Sequence, residues 1–289
     1  MAKAFTYWLS KNSAFVKRFR QWNNRRNDAL RQKKRLKEKQ SYKGNLAVLA
    51  IMKNEESGLR EWIDHHLDQG AGKIFLIDNG STDGSRKIAE SFVEGGRVEY
   101  IYLPKKWHQL EHYWEVIERF NIRQDFEWLL TADIDEFWFC KDGSKISDRL
   151  SDFIGTDVIY TNWSVFGSNG LDRQPESVRK SFVMRHPQLG PHQMTKWICR
   201  TSALKTFSQL HIHKIKDACS SKTISENEIF QLNHYQIQSR EFFEKVKMRR
   251  GDAVNSIHDD TRDWDYFESV DKDCDLEDNR LRQIVMQEK

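Results

Sequence analysis

From Asn45 onward, short apolar runs alternate with amphipathic stretches, a pattern that predicts βαβ units and a mostly parallel sheet. The run from Asn45 to Met52 (NLAVLAIM) predicts a buried strand, and the turn Lys53-Asn54-Glu55-Glu56 follows it. The stretch from Leu59 to Gln69 carries helical spacing and is stopped by Gly70. A second strand is expected from Lys73 to Ile77, a polar loop from Asp78 to Gly84, a helix from Ser85 to Phe92 and a third strand from Val98 to Leu103. Helical spacing returns from Arg240 to Gly251, and a short amphipathic segment runs from Asn279 to Gln287.

In open α/β sheets, ligands sit beyond the carboxyl ends of the strands, so the loops after the first two strands are where a ligand is expected. The second loop, Asp78-Asn79-Gly80-Ser81-Thr82-Asp83-Gly84-Ser85, offers carboxylates and tight-turn glycines to a base and ribose, and fits an N-capped connection equally well. The strongest signal is WLLTADIDEF, Trp128 to Phe137, in which an apolar strand runs into Asp133-Ile134-Asp135. Alternation along a strand sends both carboxylates to one side. There they can grip a hard divalent cation that also binds a diphosphate; the plainer alternative is a solvated acidic turn.

Charge divides the chain. Residues 1–44 hold 14 Lys and Arg against 2 Asp and Glu, net +12, whereas the remainder holds 33 against 41, net −8. Phe5, Trp8, Leu9, Phe15, Val16, Phe19, Trp22 and Leu30 share a helical arc of about 140°. Such an arm can lie on an anionic membrane surface through residues 1–40, or dock on the body or a second subunit. A nucleic-acid partner is not expected, because no RNA- or DNA-binding motif accompanies the basic arm. The four cysteines are scattered, no apolar run approaches the ~20 residues that span a bilayer, and no apolar signal-peptide core opens the chain. A cytoplasmic location, peripheral on the inner face of the membrane, is the expectation.

The stretches LAIMKNE, IFLIDNGSTDGS and WLLTADIDEF resemble the sugar-nucleotide-binding half of family-2-like glycosyltransferases of the GT-A fold. Asn162 to Gly170 (NWSVFGSNG) and Asn233-His234-Tyr235 before SREFFEK are similar to the branch related to family 92 and its bacterial relatives. The resemblance runs from about Leu46 to Gly251 and leaves out the arm. It implies a GT-A-like (Rossmann-like) domain, a pocket near Lys53, Asn54 and Glu55, nucleotide contacts from Asp78 and Asn79, Asp133 at the ribose or sugar and Asp135 on Mn²⁺ or Mg²⁺. Many relatives carry a second Asp where this chain has Asn79.

A transferase needs further groups, and the second half supplies candidates. His211 and His213, alternating in an expected strand, offer imidazoles to the metal, His213 slightly preferred. Lys196 is the first candidate cation for the leaving diphosphate, with Arg200 and Lys245 behind it. Asp172 is the expected base, with Glu136 and Glu176 as alternatives. Trp163, Phe166, His234 and Tyr235 are expected to face the acceptor. The expected organisation is an arm over 1–44, a GT-A domain over 45–258 (nucleotide-sugar half 45–140, acceptor half 141–258) and an acidic, solvated tail over 259–289.

The expected reaction moves a hexose from a nucleotide diphosphate sugar to a glycan or lipid-linked acceptor, and the resemblance implies inversion. A sugar-nucleotide nucleotidyltransferase is the nearest rival enzyme, but it opens on a glycine- and arginine-rich loop where this chain has Lys53-Asn54-Glu55-Glu56. A catalytically silent nucleotide-sugar-binding or membrane-tethering module is the non-enzymatic alternative. For the arm, the expected outcome of liposome flotation is that anionic vesicles carry the full chain and leave behind a chain lacking residues 1–40. Equal flotation of the two ends the membrane reading.

Overall fold

The computed structural model describes residues 42–190, 194–250 and 262–287. The basic arm up to residue 41, and with it the expected membrane contact, lies outside the described residues. Among the described residues eleven strands run in chain order: β1 Gly44–Met52, β2 Lys73–Asp78, β3 Val98–Tyr102, β4 Phe126–Thr131, β5 Glu136–Cys140, β6 Val158–Val165, β7 Met184–Arg185, β8 Thr195–Arg200, β9 Thr223–Ser225, β10 Phe230–His234 and β11 Leu276–Glu277. Nine form one sheet in the order β3-β2-β1-β4-β8-β6-β10-β5, with β9 alongside β6.

The sheet is mostly parallel, as the sequence predicts. Pairings β1·β2, β2·β3, β1·β4, β6·β10 and β6·β9 are parallel, and only those of β4·β8, β6·β8 and β5·β10 are antiparallel. Because β8 is antiparallel to both β4 and β6, strands β1, β2, β4, β6 and β10 all point one way. Their carboxyl ends therefore share one edge of the sheet.

Strand β1 shows why the chain builds this architecture. Leu46, Val48, Ala50 and Met52 enter the core on one face, and Ala47, Leu49 and Ile51 enter a second core on the other. A strand apolar on both faces must be covered on both. Helix α1, Leu59–Asp68, buries Leu59, Trp62 and Ile63 on the first face. The short helix α2, Ser85–Ser91, follows β2, and α3, Gln109–Arg119, buries Tyr113, Val116 and Ile117 on the second face. The α/β class and helix-flanked sheet expected of a GT-A-like domain are the ones observed.

The C-terminal segment differs from the solvated tail expected of it. Helix α4 occupies residues 240–250 and contains a π turn over Phe243–Lys247; α5, Trp264–Asp271, and α6, Arg280–Gln287, follow. Leu281 and Val285 of α6 enter the main core, while β11 pairs with β7. Two of its acidic side chains are tied to the body of the domain. Asp271 accepts hydrogen bonds from the Ser168 backbone N–H at 2.6 Å and hydroxyl at 2.8 Å, and Asp278 pairs with Arg185 at 2.9 Å. Counting charges along the sequence cannot reveal such pairing, because the partners lie about a hundred residues upstream.

Two neighbouring histidines on α1 make the fold sensitive to acid. The His65 Nε2–H donates to the Trp138 carbonyl at 2.7 Å and Nδ1 accepts from Arg179 at 3.1 Å, while His66 Nδ1–H donates to the Trp62 carbonyl at 3.0 Å. Both are buried, and burial holds His65 well below its ordinary range and lowers His66 from 6.5 to about 4. A depressed histidine contributes stability that is present above pH 6.5 and is lost as pH falls through the folded value. The expected loss from His66 is roughly 2–3 kcal/mol between about pH 7 and about pH 4.5, read from urea unfolding midpoints. His66→Gln flattens that dependence; an unchanged slope sinks this assignment.

Candidate active site

The loops behind β1 and β2 are laced together by their polar side chains. Asn54 takes a left-handed backbone (φ 53), and its Oδ1 accepts from the Thr82 N–H at 2.8 Å. The Asn54 and Glu55 N–H groups donate to the hydroxyls of Ser81 at 3.1 Å and Ser85 at 2.8 Å. Asp78, last in β2, is fully buried: its carboxylate accepts from the Ser81 N–H at 2.7 Å and from the Tyr100 hydroxyl at 2.7 Å. Asp78 thus shapes the loop and does not line the cavity beside it, contrary to the nucleotide contact implied for it. Asn79 lines that cavity while its Nδ2 donates to the carbonyls of Leu103 at 2.7 Å and Lys105 at 3.0 Å. An Asp there has no N–H with which to make these bonds.

The acidic motif occupies the sharp connection between β4 and β5, one step beyond the strand on which alternation was expected to orient it. Trp62 Nε1–H donates to the carbonyls of Asp133 at 2.9 Å and Glu136 at 3.0 Å, the Asp133 N–H donates to the Glu136 carboxylate at 2.9 Å, and the Tyr235 N–H donates to the Asp135 carbonyl at 2.8 Å. With its backbone held this way, the turn presents both Asp133 and Asp135 to the cavity.

Each carboxylate meets a buried ammonium. Lys196, fully buried in β8, lies 2.8 Å from Asp133 and 3.4 Å from Glu136; Lys247, equally buried in the π turn of α4, donates to Asp135. Burial pulls the Lys196 ammonium down, but Asp133 and Glu136 outweigh it and its pKa is raised. Burial pushes the Glu136 carboxyl up to about 8, against the pull of Lys196. Glu136, with no exposed surface, braces the turn from beneath and does not line the cavity.

The cavity holds about 410 Å³, a size suited to a small organic ligand. It spans the sheet edge from Ile51, Met52 and Asn79, through Asp133 and Asp135, to Trp163 on β6 and His234 at the end of β10. Lys53 and Glu55 line it and Asn54 does not; they are joined by Lys106 and Trp107 ahead of α3, by Gln109 at its start and by Arg262 and Tyr266 at α5. Trp163 packs against two imidazoles, its ring centroid 4.1 Å from that of His234 and 5.4 Å from that of His213. His213 Nδ1–H donates to the Thr195 carbonyl at 3.0 Å, which leaves the lone pair on Nε2, and burial followed by Lys196 lowers its pKa.

Among the described residues no three His, Cys, Asp or Glu side chains converge to hold a metal ion by themselves. Two carboxylates facing a cavity do match the way Mg²⁺ is held, with substrate phosphates completing its shell.

Several expected residues lie elsewhere. Asp172 is exposed outside the cavity, because left-handed Asn169 (φ 53) and Gly170 (φ 67) turn the chain outward and the Asp172 carbonyl binds the Glu241 N–H. Glu176 is exposed as well. Phe166 and Tyr235 are core residues, their rings 4.8 Å apart. His211 and His213 occupy an irregular loop rather than a strand; the His211 carbonyl accepts from Trp197, and only His213 lines the cavity. Arg200 is spent on Glu127 and on the face of Trp128, 4.2 Å from its ring centroid. Lys245 is exposed and pairs with Glu241, so the relevant lysine of that helix is Lys247. The π turn shifts the helical phase, and nothing in Lys245-Val246-Lys247 announces it.

The sequence profile of glycosyltransferase family 92 matches residues 49–274. A glycosyltransferase family 92 protein of Oryza sativa subsp. japonica is 25% identical over 207 residues, covering 69% of this chain and 34% of its own length. One of Arabidopsis thaliana is 23% identical over 241 residues, covering 74% and 39%. This chain therefore spans little more than a third of these relatives. Among solved structures, S. aureus TarS (1–349) in complex with UDP-GlcNAc gives a TM-score of 0.41 at 14% identity, covering 83% of this chain and 70% of that one. Glucosyl-3-phosphoglycerate synthase from Mycobacterium tuberculosis, in complex with phosphoglyceric acid, gives 0.33 at 15% identity, covering 56% and 58%.

Lys196→Met leaves the Asp133 and Glu136 carboxylates without their buried counter-charge, and unfolding by urea is expected to show a loss of roughly 3–5 kcal/mol. Lys245→Met, on the exposed face of α4, is expected to stay within about 0.5 kcal/mol of wild type. Equal effects of the two overturn the charge arrangement described.

Proposed function

Because the chain belongs to glycosyltransferase family 92, we propose that it moves a hexose from a nucleoside diphosphate sugar to a glycan or lipid-linked acceptor, with inversion at the anomeric carbon. The observation that carries this reading is the cavity on the shared strand edge, where Asp133 and Asp135 stand between the lining residues of the β1 and β2 loops and those of β6 and β10. A nucleotide sugar has the matching order of parts, with its diphosphate in the middle.

Asp133 and Asp135 are the proposed ligands of Mn²⁺ or Mg²⁺, with the donor's phosphates completing its shell. When bound, the ion supplies positive charge for the leaving diphosphate. Lys196 and Lys247 add ammoniums behind those carboxylates and brace the turn that carries them. Trp163 is the proposed aromatic surface for a sugar, with His213 and His234 beside it for hydroxyl contacts. With Asp172 outside the cavity and Glu136 sealed beneath the turn, the acceptor's proton falls to a lining group: Glu55, His213 or His234.

The test is release of nucleoside diphosphate from a panel of sugar donors with Mn²⁺. Wild type is expected to turn over at least one donor, and both chelation by EDTA and Asp135→Ala are expected to lower the rate roughly 100-fold or more. Full activity of Asp135→Ala removes the carboxylate from the site. No turnover of any donor, with extract-derived acceptors present, favours the silent binding module.

A further inference from the structure

Trp107 stands at the mouth of the cavity with a left-handed backbone, φ 59, and with 38% of its surface exposed. A bulky residue in that conformation costs on the order of 1–3 kcal/mol and persists only where its surroundings enforce it. Here they do so from both sides. The buried Asn79 amide donates to the Lys105 carbonyl at 3.0 Å, and His108 Nδ1–H donates to the Lys106 carbonyl at 2.6 Å. The Lys106 ammonium lies 5.7 Å from the Trp107 ring. The main core clusters do not include Trp107, so this conformation is not maintained to fill the interior.

The geometry points to Trp107 as the platform on which the nucleobase of the donor stacks, a role that rests on the nucleotide-sugar reading and deepens it. Position along the sheet edge selects the base over the sugar. Adjacent strands are about 4.8 Å apart, so the ends of β2 and β6 each lie roughly 10 Å from β4, on opposite sides of it. A diphosphate at Asp133 and Asp135 then sends its two substituents in opposite directions. The β6 side is occupied by Trp163 with the His213 and His234 rings packed against it. On the other side the exposed Trp107 ring and the apolar Ile51 and Met52 stand among the polar Lys53, Asn79, Lys106 and Gln109, which gives a flat heterocycle a face to stack on and polar groups for its edge. Asn79 thereby gains a function: its amide fixes the loop that carries the platform.

The experiment is calorimetric titration of the full chain, with Mn²⁺ present, by UDP, GDP, ADP, CDP and inorganic pyrophosphate, comparing wild type with Trp107→Ala and Trp107→Phe. The nucleotide that binds wild type is expected to lose roughly tenfold or more in affinity for Trp107→Ala and about threefold or less for Trp107→Phe, with pyrophosphate affinity unchanged. Unchanged nucleotide affinity in Trp107→Ala overturns the platform and leaves the donor reading standing. An equal fall for pyrophosphate also overturns it, since the loss then comes from the loop and not from stacking. Failure of wild type to bind any of the four nucleotides brings down the donor reading, and the platform with it.

Discussion

Asp133 and Asp135 are two negative charges two residues apart, at the end of an apolar strand, with a third carboxylate on Glu136 directly behind them. Without counter-charges three carboxyl groups so close together, two of them buried, would be costly to keep. The fold answers with ammoniums from two distant segments: Lys196 from β8, between Asp133 and Glu136, and Lys247 from α4, on Asp135. The indole of Trp62 and the N–H of Tyr235 hold the backbone of the same turn. Two helices and three strands thus converge on one short connection, and the cavity exists where they meet.

This constraint gives a reason for the antiparallel strand at the centre of a mostly parallel sheet. Inserted between β4 and β6, β8 runs against both, so its first residues lie beside the carboxyl end of β4. Lys196, second in β8, is consequently level with Asp133 and can reach it from within the sheet. The same insertion restores the parallel direction in β6 and β10, which lets Trp163 and His234 open onto the same edge as Lys53 and Asn79. The mixed topology is what brings the halves of the site together.

The polar loop after β2 does its work at one remove. Asp78 and Asn79 were legible as important, but Asp78 spends both oxygens on Ser81 and Tyr100, and Asn79 spends its amide on the strand-to-helix loop ahead of α3. The side chains that reach the cavity from that region, Lys106 and Trp107, come from a stretch without a recognisable pattern. A loop residue becomes part of a site through what it is tied to, and such ties join segments some 25 residues apart.

The sequence by itself determined the first four strands, the helices α1, α2 and α4, the α/β class and the acidic turn, because each depends on local spacing: an unbroken apolar run in β1, helical period in α1, and an apolar run ending in Asp-Ile-Asp. It could also locate Lys53, Glu55, Asn79 and His213, which lie in or beside loops that such a sheet must gather at one edge. Which lysine of α4 faces inward, that Phe166 and Tyr235 pack in the core, that Asp172 turns outward and that the acidic C-terminal segment is knitted to Arg185 and Ser168 were decided only in three dimensions. The physical reason is the same in every case: a side chain's charge is written in the sequence, but its partner is chosen by distance, and distance across a folded chain is set by packing.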